Sequence, residues 1–219
     1  MLIPTLNDAR SLEAALTALR PATPLEIVVA DGGSVDDTPA VAAAAGAKLV
    51  AGARGRGSQL AAGAAAATRE WLLFLHADCT PEPGWAEAVA VFIARPRAAE
   101  RAGYFDLALD DHAAAARRLE RVVAWRCRIL ALPYGDQGLL ISRALYDAVG
   151  GFAPLPLMED VDLVRRLGRR RLARIDARCV ASARRYRREG YWRRPLRNLL
   201  CLSLYFAGMP PERIARLYG

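Results

Sequence analysis

The chain has 219 residues, of which 53% are hydrophobic and 25% are charged, and its formal net charge is +8. This length and composition predict one folded domain with a sizeable core, and they exclude a disordered chain, a collagen-like repeat and a disulfide scaffold. No stretch reaches the about 18 uncharged apolar residues that a membrane span needs.

The four cysteines are far apart and form no C-x-x-C pair, which argues against a zinc site or a redox motif. Met1 is followed directly by Leu2, Ile3 and Pro4, without the charged start of a signal peptide. Both observations favour a cytoplasmic protein.

The positive charge is almost entirely arginine, because Lys48 is the only lysine. Arginine accumulates between Arg165 and Arg197. This stretch predicts either a contact with an anionic partner (phosphate, lipid headgroup or nucleic acid) or a solvated helical face.

Short apolar runs alternate with helical segments in the first part of the chain. The opening strand has only Leu2 and Ile3 before Pro4, so it is clipped or very brief. Further strands are predicted over residues 25–30, 47–50 and 71–75, and helices over residues 9–20, 38–45 and 57–69. This alternation is typical of parallel β-α-β units in an α/β sheet.

The pattern is looser after Pro83. Strands are predicted over residues 103–109 and 138–142, with a turn or helix before 150–152. Helices are predicted over residues 85–94, 113–132, 160–170 and 196–206, and a last short one begins at Pro210 and Pro211. There is no internal repeat and no long linker, so we expect a single domain.

Three polar clusters follow predicted strands, at residues 4–7, 31–34 and 76–78. Ligands of open α/β sheets bind beyond the carboxyl ends of the strands. A carboxylate there can bind a ribose or a base, and a second one can bind a divalent metal that neutralises a diphosphate. The alternative is that Asp31 and Ser34 are turn residues and that Asp78 caps a helix.

These clusters resemble the family 2 glycosyltransferases of GT-A fold. The resemblance rests on P-T-L-N from Pro4, A-D-G-G-S-V-D-D-T from Ala30 and F-L-H-A-D from Phe74, and R-G-R-G from Arg54, G-D-Q-G from Gly135 and M-E-D-V-D from Met158 strengthen it. They point to the small bacterial subgroup associated with radical-SAM and selenodomain proteins.

The resemblance covers essentially the whole chain and implies a Rossmann-like α/β fold. Its sheet is mixed and mostly parallel, is flanked by helices and is followed by a C-terminal helical extension. Within the single domain, residues 1–100 would bind the nucleotide, residues 101–180 would bind the acceptor, and residues 181–219 would form a basic and apolar helical tail.

The implied activity is transfer of a sugar from a nucleotide-sugar donor, a UDP-sugar, to an acceptor hydroxyl with inversion. The residues implied for nucleotide binding are Pro4, Thr5, Asn7, Asp31, Gly33, Arg54, Arg56 and Asp78.

Asp78 would also hold the divalent metal, Mn²⁺ or Mg²⁺, as the last residue of the family's Asp-x-Asp motif. The first Asp of that motif is His76 here. An imidazole can bind Mn²⁺, but the replacement removes one negative charge from the metal site.

Glu159 and Asp160 match the family's Glu-Asp pair, and Asp160 would be the catalytic base. The alternative is that both residues only cap the following helix. Asp136 and Gln137 would lie on the acceptor side, binding sugar hydroxyls or fixing their own loop. Arg184, Arg185 and Tyr186 would close over the diphosphate or remain solvated.

The apolar segment 196–206 begins at Leu196, ends at Phe206 and is flanked by Arg193, Arg194 and Arg197. It predicts either an interfacial helix on the inner face of a membrane, with a small-molecule or lipid-linked acceptor, or an ordinary core or homodimer helix.

Two other functions remain open from the sequence. One is a sugar nucleotidyltransferase, although the amino terminus lacks a glycine-rich signature followed by lysine. The other is an arginine-rich nucleic-acid-binding protein, in which Tyr186, Tyr191 and Trp192 stack on bases; we do not expect nucleic acid as the partner.

Overall fold

The computed structural model describes residues 1–19 and 25–218, and these residues form one mixed sheet of eight strands. The strands are β1 (Leu2–Thr5), β2 (Val28–Asp31), β3 (Lys48–Ala51), β4 (Trp71–Phe74), β5 (Cys79–Pro81), β6 (Ala102–Leu109), β7 (Leu139–Ser142) and β8 (Leu172–Ala181). Their order across the sheet is β3-β2-β1-β4-β7-β6-β8-β5.

The sheet has a parallel part and a mixed part. β2 is parallel to β3 and to β1, and β1 is parallel to β4. β7 runs antiparallel between β4 and β6, whereas β8 is parallel to β6 and antiparallel to β5. The predicted mixed α/β sheet is therefore confirmed.

Ten α-helices flank the sheet in the described residues: α1 (Ala9–Leu19), α2 (Thr38–Ala44), α3 (Arg56–Ala66), α4 (Trp85–Ile93), α5 (Ala114–Leu130), α6 (Arg143–Ala148), α7 (Glu159–Leu167), α8 (Arg184–Glu189), α9 (Arg193–Phe206) and α10 (Pro211–Tyr218). The predicted end of the first helix, residue 20, lies outside the described residues. None of the described helices has the length and apolar character needed to cross a bilayer.

Both faces of the sheet are buried. Successive strand residues point to opposite faces, so the buried side chains form two clusters. Leu2 of β1 belongs to the cluster that contains residues of α3, α6 and α7. Ile3 belongs to the other cluster, which contains residues of α1, α4 and α5. Val28 and Val29 of β2 divide between the two clusters in the same way. This burial explains why β1, β2 and β4 read as apolar runs, whereas the edge strand β3 is mostly exposed.

The prediction of a clipped first strand was wrong. β1 continues through Pro4 to Thr5, and all four of its residues pair with β2. β1 pairs with β4 only at Leu2. At Pro4, therefore, the side of β1 that faces β4 has no paired strand residue. The missing N–H of Pro4 costs no sheet hydrogen bond there.

The arginine-rich stretch is not one solvated helical face. Its residues belong to the end of α7, to β8, to α8 and to the start of α9. β5, β8 and α8 were not predicted, because the arginines of β8 and α8 hide the apolar pattern. β8 nevertheless buries Ile175, Cys179 and Ala181 on β6 and β5.

Candidate active site

A cleft opens at the carboxyl ends of β1 and β4, and we call it the outer cleft. Its volume is about 320 Å³. It is lined by Pro4, Thr5, Leu6, Asp8, Arg54, Gly55, Arg56, Gln59, His76, Ala77, Asp78, Pro156 and Arg185. Parallel strands place their carboxyl ends at one edge of the sheet, and the chain thereby brings together predicted site residues that are far apart in sequence.

Gln59 of α3 lines this cleft, and its role was not predicted from the sequence. Its buried amide nitrogen donates to the carbonyl oxygens of Thr5 (2.6 Å) and Ala30 (2.9 Å), which ties β1 to β2. The hydroxyl oxygen of Thr5 is buried and makes no hydrogen bond in the described residues. A buried polar atom without a partner needs one, and a bound ligand can supply it.

Asn7, Asp31 and Gly33 do not line the outer cleft. The Asp31 carboxylate accepts hydrogen bonds from the backbone N–H groups of Gly33 (3.1 Å) and Ser34 (2.8 Å), which closes a tight turn. The Asn7 side-chain oxygen accepts from the N–H of Val35 (2.9 Å). Gly33 has a φ of +90°, which favours glycine. These contacts agree with the alternative that Asp31 and Ser34 are turn residues. Direct nucleotide contact by Asn7, Asp31 and Gly33 stays a prediction.

His76, Asp78 and Cys79 can each offer one ligand atom, and these atoms lie within 4.8 Å of one another. Burial, followed by the nearby Arg56 guanidinium, lowers the pKa of His76 to about 4, so its imidazole is neutral at pH 7. A hydrogen bond with Cys179 and burial raise the pKa of the Cys79 thiol well above its usual value. Carboxylate oxygen suits Mn²⁺ or Mg²⁺ and imidazole can also ligate a divalent metal, whereas thiolate favours softer metals, so His76 and Asp78 fit such a metal better than Cys79 does.

A short 3-10 turn, Gly135–Gln137, covers the imidazole. A Cβ added to Gly135 would lie 2.3 Å from His76 Nε2, so only glycine permits this approach. The N–H of Gly135 donates to Asp160 Oδ2 at 2.8 Å. One glycine therefore links the candidate metal ligand to the candidate base.

Asp160 lies in the first turn of α7 and keeps its carboxylate at a cavity. Oδ1 accepts from the N–H of Val161 (2.7 Å), a local contact consistent with the capping alternative. The same side chain also lines the cavity described next, so capping and a chemical role are compatible.

Glu159 lines the same cavity but is only 1% exposed. Its Oε1 lies 3.2 Å from Arg56 Nε, and neither of its carboxylate oxygens accepts a hydrogen bond in the described residues. Burial outweighs the attraction of Arg56 and raises the pKa of Glu159 to about 7. The structure thus places Glu159 against Arg56, and a catalytic role for Glu159 stays a prediction.

An inner cavity of about 120 Å³ lies behind the outer cleft. The site residues that line it are Arg56, His76, Asp78, Tyr134, Asp136, Glu159, Asp160, Arg185, Tyr186, Arg194, Asn198 and Tyr218. Asp136 Oδ1 is buried without a partner in the described residues, and burial raises the pKa of Asp136 to about 6.

The structure places Gln137 among the contacts of its own loop, and acceptor binding by this residue stays a prediction. Gln137 is 1% exposed and is not part of the cavity wall. Its amide nitrogen donates to the carbonyl oxygen of Phe105 (3.0 Å), and its oxygen accepts from Arg126 Nη2 (3.0 Å). Gln137 therefore fixes its own loop, which is the alternative that the sequence left open.

The C-terminal helices form one wall of the inner cavity, which the sequence did not predict. Arg194 of α9 is nearly buried and donates to Glu189 (3.0 Å) and to the Tyr218 hydroxyl (2.9 Å). Asn198, one turn further along α9, has a buried oxygen without a partner in the described residues. Asn198, a polar residue one turn after Arg194 and just before the apolar run from Leu199 to Leu202, was the available signal.

The mixed sheet, with a cleft at the carboxyl ends of its parallel strands, has the architecture of a glycosyltransferase of GT-A fold. The model of the family described as glycosyl transferase family 2 matches residues 1–139. The chain belongs to glycosyl transferase family 2 and is a glycosyltransferase. No curated protein sequence matches it.

Solved structures share the fold. Glucosyl-3-phosphoglycerate synthase from Mycobacterium tuberculosis, in complex with Mn²⁺, UDP and glucosyl-3-phosphoglycerate, superposes with a TM-score of 0.60 at 23% identity, over 81% of this chain and 68% of that one. Its complex with Mn²⁺ and UDP-glucose gives a TM-score of 0.60 at 21% identity, over the same shares. A mycobacterial protein of unstated activity gives 0.56 at 22% identity, over 83% and 64%. At these identities the likeness concerns the fold, and membership of the radical-SAM-associated subgroup stays a prediction.

Proposed function

We propose that the protein transfers a sugar from a nucleotide-sugar donor, a UDP-sugar, to an acceptor hydroxyl, with inversion at the anomeric carbon. The observation that carries this proposal is that the outer cleft and the inner cavity share Arg56, His76, Asp78 and Arg185. A donor in the cleft and an acceptor in the cavity would have their reacting atoms at this junction, as an in-line displacement requires. Structural neighbours that bind Mn²⁺ and UDP-glucose support the choice of donor.

The donor nucleotide would lie against Pro4, Thr5 and Arg54 at the outer end of the cleft. The unpartnered Thr5 hydroxyl is suited to a ribose or base atom. Arg56, held by Glu159, would direct its guanidinium at the diphosphate, and guanidinium forks match phosphate geometry.

We assign the divalent metal to Asp78 and His76. When bound, it neutralises charge on the departing diphosphate. The neutral imidazole of His76 favours Mn²⁺ over Mg²⁺, because Mg²⁺ prefers an all-oxygen shell.

Asp160 would act as the base. The acceptor O–H bond breaks as its proton passes to Asp160 Oδ, while the acceptor oxygen forms a bond to the anomeric carbon. The bond from that carbon to the diphosphate oxygen breaks, and the electron pair leaves with the nucleoside diphosphate. The hydrogen bond from Gly135 N–H fixes the carboxylate for this step.

The acceptor would enter through the inner cavity, where Asp136 and Asn198 present unpartnered oxygens to its hydroxyl groups. Both a small-molecule and a lipid-linked acceptor fit this description. Arg185 and Tyr186 border the cavity, and we propose that they close over the diphosphate.

We also propose the division of the single domain into residues 1–100, 101–180 and 181–219. The cleft takes its residues mostly from the first part, while the cavity takes its residues mostly from the second and third parts. Cytoplasmic location is likewise a proposal, supported by four buried cysteines that are all free thiols. Self-association to a homodimer remains untested.

Three observations weigh against the other functions. Family membership favours sugar transfer over nucleotidyl transfer. Arg187, Arg194 and Arg197 are ion-paired with carboxylates. Tyr186 and Tyr191 stack on each other with ring centroids 5.6 Å apart, so one face of each ring is already covered and cannot stack on a nucleic-acid base.

Calorimetric titration of the protein with UDP, GDP, CDP and dTDP, each with and without Mn²⁺, tests the donor site. We expect UDP to bind and Mn²⁺ to tighten its binding, and an Asp78→Asn variant to lose the metal effect. Binding of none of the four nucleotides would overturn the proposal. If another nucleotide bound more strongly than UDP, the donor would be a sugar of that nucleotide instead of a UDP-sugar.

A further inference from the structure

One face of α9 is apolar and lies in solvent. Trp192, just before the helix, is 75% exposed, and Leu196, Leu199, Leu200 and Phe206 are 61%, 58%, 56% and 49% exposed. At 3.6 residues per turn these positions fall on one side of the helix. The opposite side holds the buried residues Arg194, Cys201 and Leu202.

Arginines are concentrated in the segment that precedes this face and in the first turn of α9. Residues 184–197 contain seven arginines and one glutamate, Glu189. That glutamate is engaged by Arg194 and Arg197. Arg184, Arg185 and Arg193 are exposed and have no ion-pair partner in the part of the chain that the structure describes. The exposed apolar side chains of α9 match a partner with an apolar interior, and the unpaired arginines match negative charge at the surface of that partner.

We propose that α9 docks flat on an anionic lipid bilayer. Trp192 would lie at the headgroup level, the three leucines would enter the acyl boundary, and Arg184 and Arg193 would meet the lipid phosphates. The 14-residue helix is about 21 Å long, shorter than the about 30 Å hydrocarbon core, so it lies on the membrane rather than across it.

The charges favour a membrane over a second copy of the chain. In a symmetric dimer the same patch faces itself, which would bring the unpaired arginines of both copies together. Like charges at such an interface are repelled, whereas anionic headgroups attract them.

Docking also places the acceptor site near the lipid. Arg194 and Asn198 line the inner cavity from the buried side of the same helix. A lipid-linked acceptor could then enter the cavity from the bilayer; this consequence rests on the proposed function, whereas the docking itself does not.

Co-sedimentation of the full chain with vesicles tests the proposal. We expect binding to phosphatidylcholine vesicles containing about a third phosphatidylglycerol, little binding to phosphatidylcholine alone, and weakening in high salt. The double variant Leu196→Ser/Leu199→Ser should reduce binding at least about tenfold. The matched control Val122→Ser/Ile129→Ser removes exposed apolar side chains from α5 and should bind like the wild type.

Three outcomes would overturn the proposal: no binding to anionic vesicles, binding that the α9 variant retains, or equal loss in the α5 control. Light scattering measures the oligomeric state of the same proteins. If the wild type is a dimer and the α9 variant is a monomer, the apolar face of α9 binds a second copy of the chain, which also overturns the proposal. Nucleotide titration of the same variants keeps the two proposals apart, because donor binding should be unchanged whichever way the vesicle result falls.

Discussion

Arg56 Nε lies 3.2 Å from Glu159 Oε1, which joins the start of α3 to the start of α7. The Glu159 side chain is 1% exposed, whereas the Arg56 side chain is 34% exposed. The buried carboxylate therefore holds the arginine from behind and leaves part of its guanidinium at the junction of cleft and cavity. The pair orients positive charge where a diphosphate would leave.

This pair predicts a pH-dependent stability. Because the pKa of Glu159 is raised to about 7 in the folded state, its contribution is fully present below the unfolded value of 4.5 and is lost as the pH rises through about 7. Glu159→Gln cannot ionise. The free energy of unfolding of this variant, relative to the wild type, should rise by on the order of 1–3 kcal/mol between about pH 5 and about pH 8.

Urea unfolding of both proteins across this range measures the difference. The exposed Glu87 of α4 provides the control, and Glu87→Gln should follow the wild type. A Glu159→Gln curve that runs parallel to the wild-type curve would contradict the assigned pKa.

Asp78 should carry the metal dependence of nucleotide binding. Its replacement by asparagine removes the negative charge from the metal site, so Mn²⁺ should no longer tighten UDP binding, a loss of at least about tenfold in affinity. Calorimetry with and without Mn²⁺ measures this effect. The control is Asp106→Asn. Asp106 lies on β6 and its carboxylate accepts a hydrogen bond from Arg174 of β8, so this variant should keep the metal effect. If Asp78→Asn kept it too, the metal would lie elsewhere.

Asp160→Asn should separate binding from chemistry. The asparagine oxygen can still accept the Gly135 N–H, so UDP affinity should be unchanged, while turnover falls by about 10²–10⁴-fold with loss of the base. Slow hydrolysis of the nucleotide sugar, in which water replaces the acceptor, provides the assay.

Asp162→Asn is the matched control on the same helix, since Asp162 pairs with Arg166 and lies outside the cavity. It should retain wild-type turnover. Equal activity of Asp160→Asn and the wild type would remove Asp160 as the base.

Gly135→Ala should disturb His76. The new Cβ would come within 2.3 Å of the imidazole, so the ring or the turn must move, at a cost of about 1–3 kcal/mol in stability and with weaker metal-linked UDP binding. Thermal unfolding and calorimetry measure the two effects. Gly52→Ala has only ordinary contacts of 3.4 Å or more and should change neither. An unperturbed Gly135→Ala would mean that the turn does not set the imidazole position.

The sequence predicted the central strands of the parallel half, β1, β2 and β4, because they are almost entirely buried and read as apolar runs. The edge strand β3 is mostly exposed, and its prediction came from its place in the β-α-β alternation. β8 escaped prediction because Arg174 and Arg178 alternate with its buried residues, and what makes it a strand is pairing with β6 and β5, distant in sequence. Local periodicity contains no information about such partners.

The site was predictable where it follows strand ends and unpredictable where distant segments meet. Thr5, His76 and Asp78 could be located from the strands that precede them. The burial of Gln137 and the cavity wall formed by Asn198 could not, because each depends on tertiary contacts between segments far apart in the chain.

Crystals of the protein grown with UDP and Mn²⁺, measured for Mn²⁺ anomalous scattering, test the central claim most directly. The account predicts one anomalous peak between Asp78, His76 and the diphosphate, with the uridine in the outer cleft against Thr5. A peak elsewhere with UDP bound outside the cleft, or a cleft without UDP at saturating concentration, would contradict it.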